Sequence, residues 1–218
     1  MRKKNKEKNA SCVKPTRGWK EYSGDSLLIV FSVLLALFLT EGVNKLHQRR
    51  NTKDLLRNVA SELRNNKKAI LEMQKYNLKV LSKIDSALTS KIIQDSLISN
   101  DEFHLNIIAP AGVLFRYMED DAWTIAKSNN IMSRIDIESI SILTKIYKDL
   151  ERIMKVEDEV AKVVFDRTSR DPRQVHATLV LIRDIYHGWV VDRAAGLIFR
   201  IDIALSKIEG NQEYNPGK

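Results

Sequence analysis

The sequence predicts an all-α protein: one N-terminal transmembrane helix continuing into an antiparallel four-helix bundle-like soluble domain. Three observations carry this. No charged residue lies between Ser26 and Thr40, and Leu, Ile, Val and Phe dominate the stretch. Beyond it, apolar residues recur at helical spacing nearly to the C-terminus. Eight Gly and four Pro in 218 residues are too few for a turn-rich β protein.

The expected organisation is a basic disordered leader over 1–21, a transmembrane helix over 22–45, a helical bundle domain over 46–210 and a C-terminal tail over 211–218. The leader carries Arg2, Lys3, Lys4, Lys6, Lys8, Lys14, Arg17 and Lys20. With Glu7 as the one acidic residue, positions 1–20 hold +7 of a total of +8, so the rest of the chain is nearly neutral. The pI near 9.5 therefore belongs to the leader, and a nucleic-acid partner is not expected. The expected partner of the leader is anionic membrane lipid, at about 1 kcal/mol per basic residue near the surface.

The span itself is Ser26, Leu27, Leu28, Ile29, Val30, Phe31, Val33, Leu34, Leu35, Leu37, Phe38 and Leu39, with Ser32 and Ala36 as small interruptions. Extended to Val43 it is about 27 Å long, close to a hydrocarbon core of about 30 Å. Glu41 then falls at an interface, and Trp19 and Tyr22 stand where an aromatic belt belongs. Two other readings fit the marginal length. A cleaved signal peptide would use the small residues near Thr40 and Gly42. A soluble core helix would show a polar face, whereas this segment is apolar all round. Basic residues flank both ends, eight before and six from Lys45 to Arg64, which favours a cytoplasmic N-terminus and a domain outside.

After the span, Leu56, Val59, Leu63, Ile70, Leu78, Leu81, Ile84, Leu88 and Ile92 draw a stripe along one helix from Asn51 to about Ile93. The stripe thins at Arg64–Lys68. Ser96–His104 reads as a loop. Ala109-Pro110 opens a second helix, since Pro fits a first turn, and Leu114, Phe115, Met118, Ala122, Trp123 and Ala126 form its apolar face. Asp136 caps a third, with a stripe from Ile140 to Val164. Asp171-Pro172-Arg173-Gln174 reads as a capping box opening the fourth, which runs past Gly188 and Gly196 to a cap at Gly210. Each of those two interior glycines weakens a helix by about 1 kcal/mol relative to Ala, and either allows a bend or a close approach.

Little in the sequence specifies chemistry. His176 and His187 are eleven residues apart on one helix, about 16 Å, too far to share a metal. No Glu-x-x-His motif accompanies Glu119-Asp120-Asp121 or Glu157-Asp158-Glu159, which read as solvated faces. Cys12 is the single cysteine, so no internal disulfide forms. No nucleophile motif or phosphate-binding loop occurs. No catalytic residue, metal ligand or cofactor is expected. Trp123, Tyr147, Tyr186 and Trp189 are core aromatics or, on the sharper reading, an inter-helix pocket or partner face.

The stretch from Leu27 to Ile70 resembles the start of a group of bacterial single-span membrane proteins with no assigned activity. Those proteins pass from an apolar segment through a short patch, here Glu41–Asn44, into a basic helix with a Glu-Leu-x-x-Asn pattern, here Glu62, Leu63 and Asn66. Ala122, Trp123 and Ala126, followed by Tyr147, are similar to their later helices. The resemblance implies an inner-membrane, single-pass, helical protein and no chemistry. The expected function is a non-enzymatic membrane-anchored scaffold or assembly subunit, binding a second copy or a membrane-protein partner. The alternative is a membrane-bound sensor whose helical domain takes a small ligand.

Overall fold

The computed structural model describes residues 19–213, with side chains from Leu27 to Gly210 except Trp189. Most of the leader, including Arg2 to Arg17, and the end of the tail lie outside the described residues. The chain divides into two units, 1–50 and 51–218. One helix, α1 (Trp19–Thr89), contributes to both.

In the first unit every side chain from Leu27 to Arg50 is exposed. The large ones are broadly so, Phe38 at 74%. The Ser32 hydroxyl donates to the Leu28 carbonyl at 2.7 Å and Thr40 to Ala36 at 2.8 Å. The two hydroxyls therefore find acceptors within their own helix. This helix is long and apolar enough to cross a membrane.

In the second unit, α1 buries a strict seam: Val59, Leu63, Asn66, Ile70, Met73, Asn77, Val80, Ile84 and Ala87, all at most 1% exposed. The steps alternate four and three residues, the spacing of a coiled-coil seam. The sequence reading placed the stripe partly on Leu78 and Leu88, but Leu78 is half exposed and Leu88 only partly buried. A stripe drawn on apolar residues alone omits Asn66 and Asn77 because they are polar. The seam therefore does not weaken at Arg64–Lys68; Asn66 occupies it there. Among the described residues, neither polar atom of Asn77 has a hydrogen-bond partner. A buried unsatisfied amide costs about 1–3 kcal/mol. Asn77→Leu is therefore expected to stabilise the domain, raising Tm by about 2–4 °C per kcal/mol for a chain of this size. Thermal unfolding in detergent checks this, and a lowered Tm would contradict it.

Helix α1 stops at Thr89, short of Ile93, because Ser90 turns the chain and accepts from the Ile93 amide. The Gln94 side chain donates to the Ala87 and Leu88 carbonyls at 2.9 and 3.1 Å, closing the helix end. A short α2 (Lys91–Leu97) follows. The expected loop is then a miniature hairpin, β1 (Ile98–Ser99) against β2 (Glu102–Phe103). Asn100 and Asp101 take φ of 52° and 60°, the left-handed pair that a two-residue hairpin turn needs. The fold is thus mostly helical with one small hairpin.

Pro110 opens no helix. Gly112 sits at φ +85°, and the Tyr76 hydroxyl of α1 accepts from the Ala111 amide at 3.1 Å and donates to the Gly112 carbonyl at 2.8 Å. The segment is held open by this contact, and the helix shrinks to α3 (Asp121–Ser128). The expected cap at Asp136 is present: its carboxylate accepts from the Ser139 amide at 2.8 Å and opens α4 (Ile137–Met154). A one-residue break at Lys155 separates α5 (Val156–Phe165). The capping box at Asp171 does not form. Asp171 accepts from the amide and guanidinium of Arg173 two residues on, so its carboxylate is unavailable and α6 (Val175–Tyr186) starts at Val175. That pairing lowers the Asp171 carboxyl to about 2. A π-helical turn, His187–Val191, containing Gly188, leads into α7 (Asp192–Glu213), which passes Gly210 without ending there.

Helix α4 packs on α7 and α5 on α6, so these two rods run antiparallel. Along α1, Arg64 pairs with Glu209, Lys67 with Asp202 and Asp85 with Arg183. The rising and falling numbers make α1 antiparallel to α6–α7. The domain therefore has three long rods, with α3 standing where a fourth was expected.

Candidate functional site

Helix α3 is short and its own N-cap, Asp120, makes no side-chain bond to it. Its first amides take their acceptor from α1. Glu62, 5% exposed, accepts from the Ala122 amide at 2.6 Å and the Trp123 amide at 3.3 Å. A carboxylate at a helix N-terminus suits both the orphan amides and the helix dipole. The Tyr147 hydroxyl of α4 donates to the same carboxylate at 2.5 Å. One turn further along α1, Asn66 accepts from the Glu119 amide at 2.8 Å and donates to the Glu119 carbonyl at 2.7 Å. Two side chains four residues apart thus clasp residues 119–123 and join α1, α3 and α4.

The Trp123 and Tyr147 rings stack over the clasp, centroids 5.4 Å apart and 10° from parallel. Lys127 places its ammonium 5.9 Å from the Trp123 ring centre. Burial, then the hydrogen bond and charge of Glu62, push the Tyr147 phenol well above its ordinary value. A raised phenol stabilises the fold at and below pH 10, the value of the unfolded side chain, and that contribution fades as pH climbs through the higher folded value. Alkaline unfolding is therefore expected to set in above pH 10. Tyr147→Phe should flatten the slope there, as alkaline titration of Tm would show.

The sequence-singled aromatics are placed as follows. Trp123 and Tyr147 meet at the clasp and are buried. Tyr186 is fully buried at a different contact, donating to the Val113 carbonyl at 3.2 Å. The Trp189 side chain lies outside the described residues. The structure brings together Glu62, Asn66, Ala122, Trp123 and Tyr147, residues the resemblance marked, with Leu63 and Ala126 buried in the same core. Sequence reasoning missed the part played by Glu119. Its side chain, read as solvated, is exposed, but its backbone is the half of the contact that Asn66 holds.

Beside the clasp lies an open groove of about 350 Å³ lined by Leu55, Asn58, Ser61, Asn65, Glu119 and Asp121, with Glu62 at its floor. Both Glu62 oxygens already accept hydrogen bonds. A second shallow groove on α7 is lined by Phe199, Asp202, Ile203, Ser206 and Lys207, with Phe199 67% exposed. The Ser99 hydroxyl and His104 Nε2 are 2.5 Å apart on the exposed hairpin, and no acid orients that ring among the described residues. No group of three His, Cys, Asp or Glu converges there to hold a metal. Compared with protein-family models, with curated proteins and with solved structures, the chain matches none.

Proposed function

We propose that this chain is a membrane-anchored helical scaffold or assembly subunit that acts through protein–protein contacts and catalyses no reaction. The observation that carries the reading is α1. A single helix holds both an exposed apolar segment of spanning length and the buried seam around which the domain packs. The apolar segment crosses the bilayer, and the helices from residue 51 onward form an antiparallel bundle. The partner is a second copy or another membrane protein. Phe199 and Ile203 on α7, with Phe165 at 71% exposure, supply apolar surface for it. The leader lies on the cytoplasmic side of the inner membrane and the bundle in the periplasm. This orientation rests on the charge bias.

Affinity purification of the full chain from native membranes, followed by sizing in detergent, tests the reading. A strict monomer with no co-purifying protein would overturn it. Labelling of Cys12 by an impermeant thiol reagent in intact cells would reverse the orientation. The open groove beside Glu62 supports a ligand sensor as the second reading. A small cation that raises Tm, and loses that effect with Asp121→Asn, would favour it.

A further inference from the structure

We propose that the turn of α1 just beyond the apolar segment, centred on Arg49 and Arg50, is a binding site for the phosphate of anionic glycerophospholipids. The inference rests on the membrane-anchored reading and adds a named lipid contact to it, on residues separate from the leader. Position decides which cations qualify. At 1.5 Å per residue, Lys45 lies about 3 Å beyond Val43 and Arg49 and Arg50 about 9–11 Å. The headgroup layer is about 5–8 Å deep on each side, and in physiological salt its charge is felt about one Debye length, about 8 Å, beyond it. Arg49 and Arg50 fall inside that reach, and Lys53, about 15 Å out, stands at its limit. Arg57 lies about 21 Å out along the same helix, is paired with Asp54 and falls outside it.

Charge narrows the set further. Lys45 is paired with Glu41 at 3.3 Å, so those two offset one another. Arg49 and Arg50 are exposed and have no carboxylate partner among the described residues. A guanidinium presents a planar fork of donors that matches a phosphate in a way an ammonium does not. At 100° per residue the two arginines diverge around the helix, so they meet two lipids or two sides of one headgroup cluster. The leader supplies charge on the other side of the span, and so does not duplicate this contact.

The test uses the full chain reconstituted in vesicles of phosphatidylcholine with phosphatidylglycerol. Mass spectrometry of the gently solubilised protein gives the ratio of the two lipids retained. The parent is expected to be enriched in phosphatidylglycerol. Arg49→Gln with Arg50→Gln should lower that enrichment about fivefold or more, from roughly fivefold per basic residue at a surface. Arg49→Lys with Arg50→Lys should restore only part of it. Neutralising Arg2, Lys3, Lys4, Lys6 and Lys8 should leave the difference between parent and double glutamine variant in place. Carbonate extraction is run alongside. A chain that resists extraction but retains the same lipid ratio in parent and glutamine variant overturns this site alone. A chain that carbonate strips away overturns the span and this site together.

Discussion

Glu62→Ala is expected to destabilise the helical domain by about 3–5 kcal/mol and to lower Tm by about 10 °C. The reason is the number of donors that one carboxylate serves. The Ala122 and Trp123 amides and the Tyr147 hydroxyl all point at it, and each stranded buried donor costs about 1–3 kcal/mol. Helix α3 has no cap of its own to fall back on. Truncation also removes the tether that holds Trp123 against Tyr147, so near-ultraviolet dichroism should lose aromatic signal ahead of helix loss. Glu62→Gln keeps the shape but turns a donor toward donors, and should fall between parent and alanine. Tyr147→Phe removes one of the three donors, so adding it to Glu62→Ala should cost less than the two single effects together, by about 0.5–3 kcal/mol. A Glu62→Ala domain within 1 kcal/mol of the parent, roughly one hydrogen bond's net worth, would show that the clasp is not what holds α3.

The same clasp explains which parts of the fold were legible in the sequence. Asp136 was readable as a cap because its acceptor and the Ser139 amide are three residues apart, and nothing distant competes. Asp171 carried an equally good local signal, but Arg173 took its carboxylate first. Pro110 failed as a helix start because Tyr76, 35 residues earlier, holds the Ala111 and Gly112 backbone open. Asn66 and Asn77 were lost for a related reason. A stripe drawn by apolarity alone slides onto the leucines beside the true seam, and only the partner strand of chain, 53 residues away for Asn66, shows why an amide belongs inside. The sequence resemblance pointed to Glu62, Asn66, Trp123 and Tyr147 as pattern members without saying that they touch. Their meeting is a long-range fact, and periodicity reports only local ones.

Leu35→Arg is expected to release the chain from the membrane in large part. Leu35 is the midpoint of the apolar run from Leu27 to Val43, where an arginine costs about 2.5–3.5 kcal/mol on the insertion scale, and the lost leucine removes a further 0.5 kcal/mol or so. The twelve Leu, Ile, Val and Phe of that run, at about −0.3 to −0.6 kcal/mol each, supply on the order of 4–7 kcal/mol before Ser32, Thr40 and Glu41 draw on it. The reserve is therefore comparable to the loss, unlike that of a longer span. Carbonate-resistant pelleting should fall steeply for Leu35→Arg, barely change for Leu35→Ala, and change less for Val43→Arg at the interface, where a cation reaches headgroups. The helical domain begins sixteen residues later, at Asn51, so its thermal unfolding should be unaffected. That pairing of outcomes separates the three readings of the segment. A soluble core helix would make Leu35→Arg unfold the domain and leave the parent chain in the supernatant. A cleaved signal peptide would leave a parent chain whose mature N-terminus lies near Val43. An anchor alone predicts an intact N-terminus, a membrane-bound parent and a variant that is folded but released.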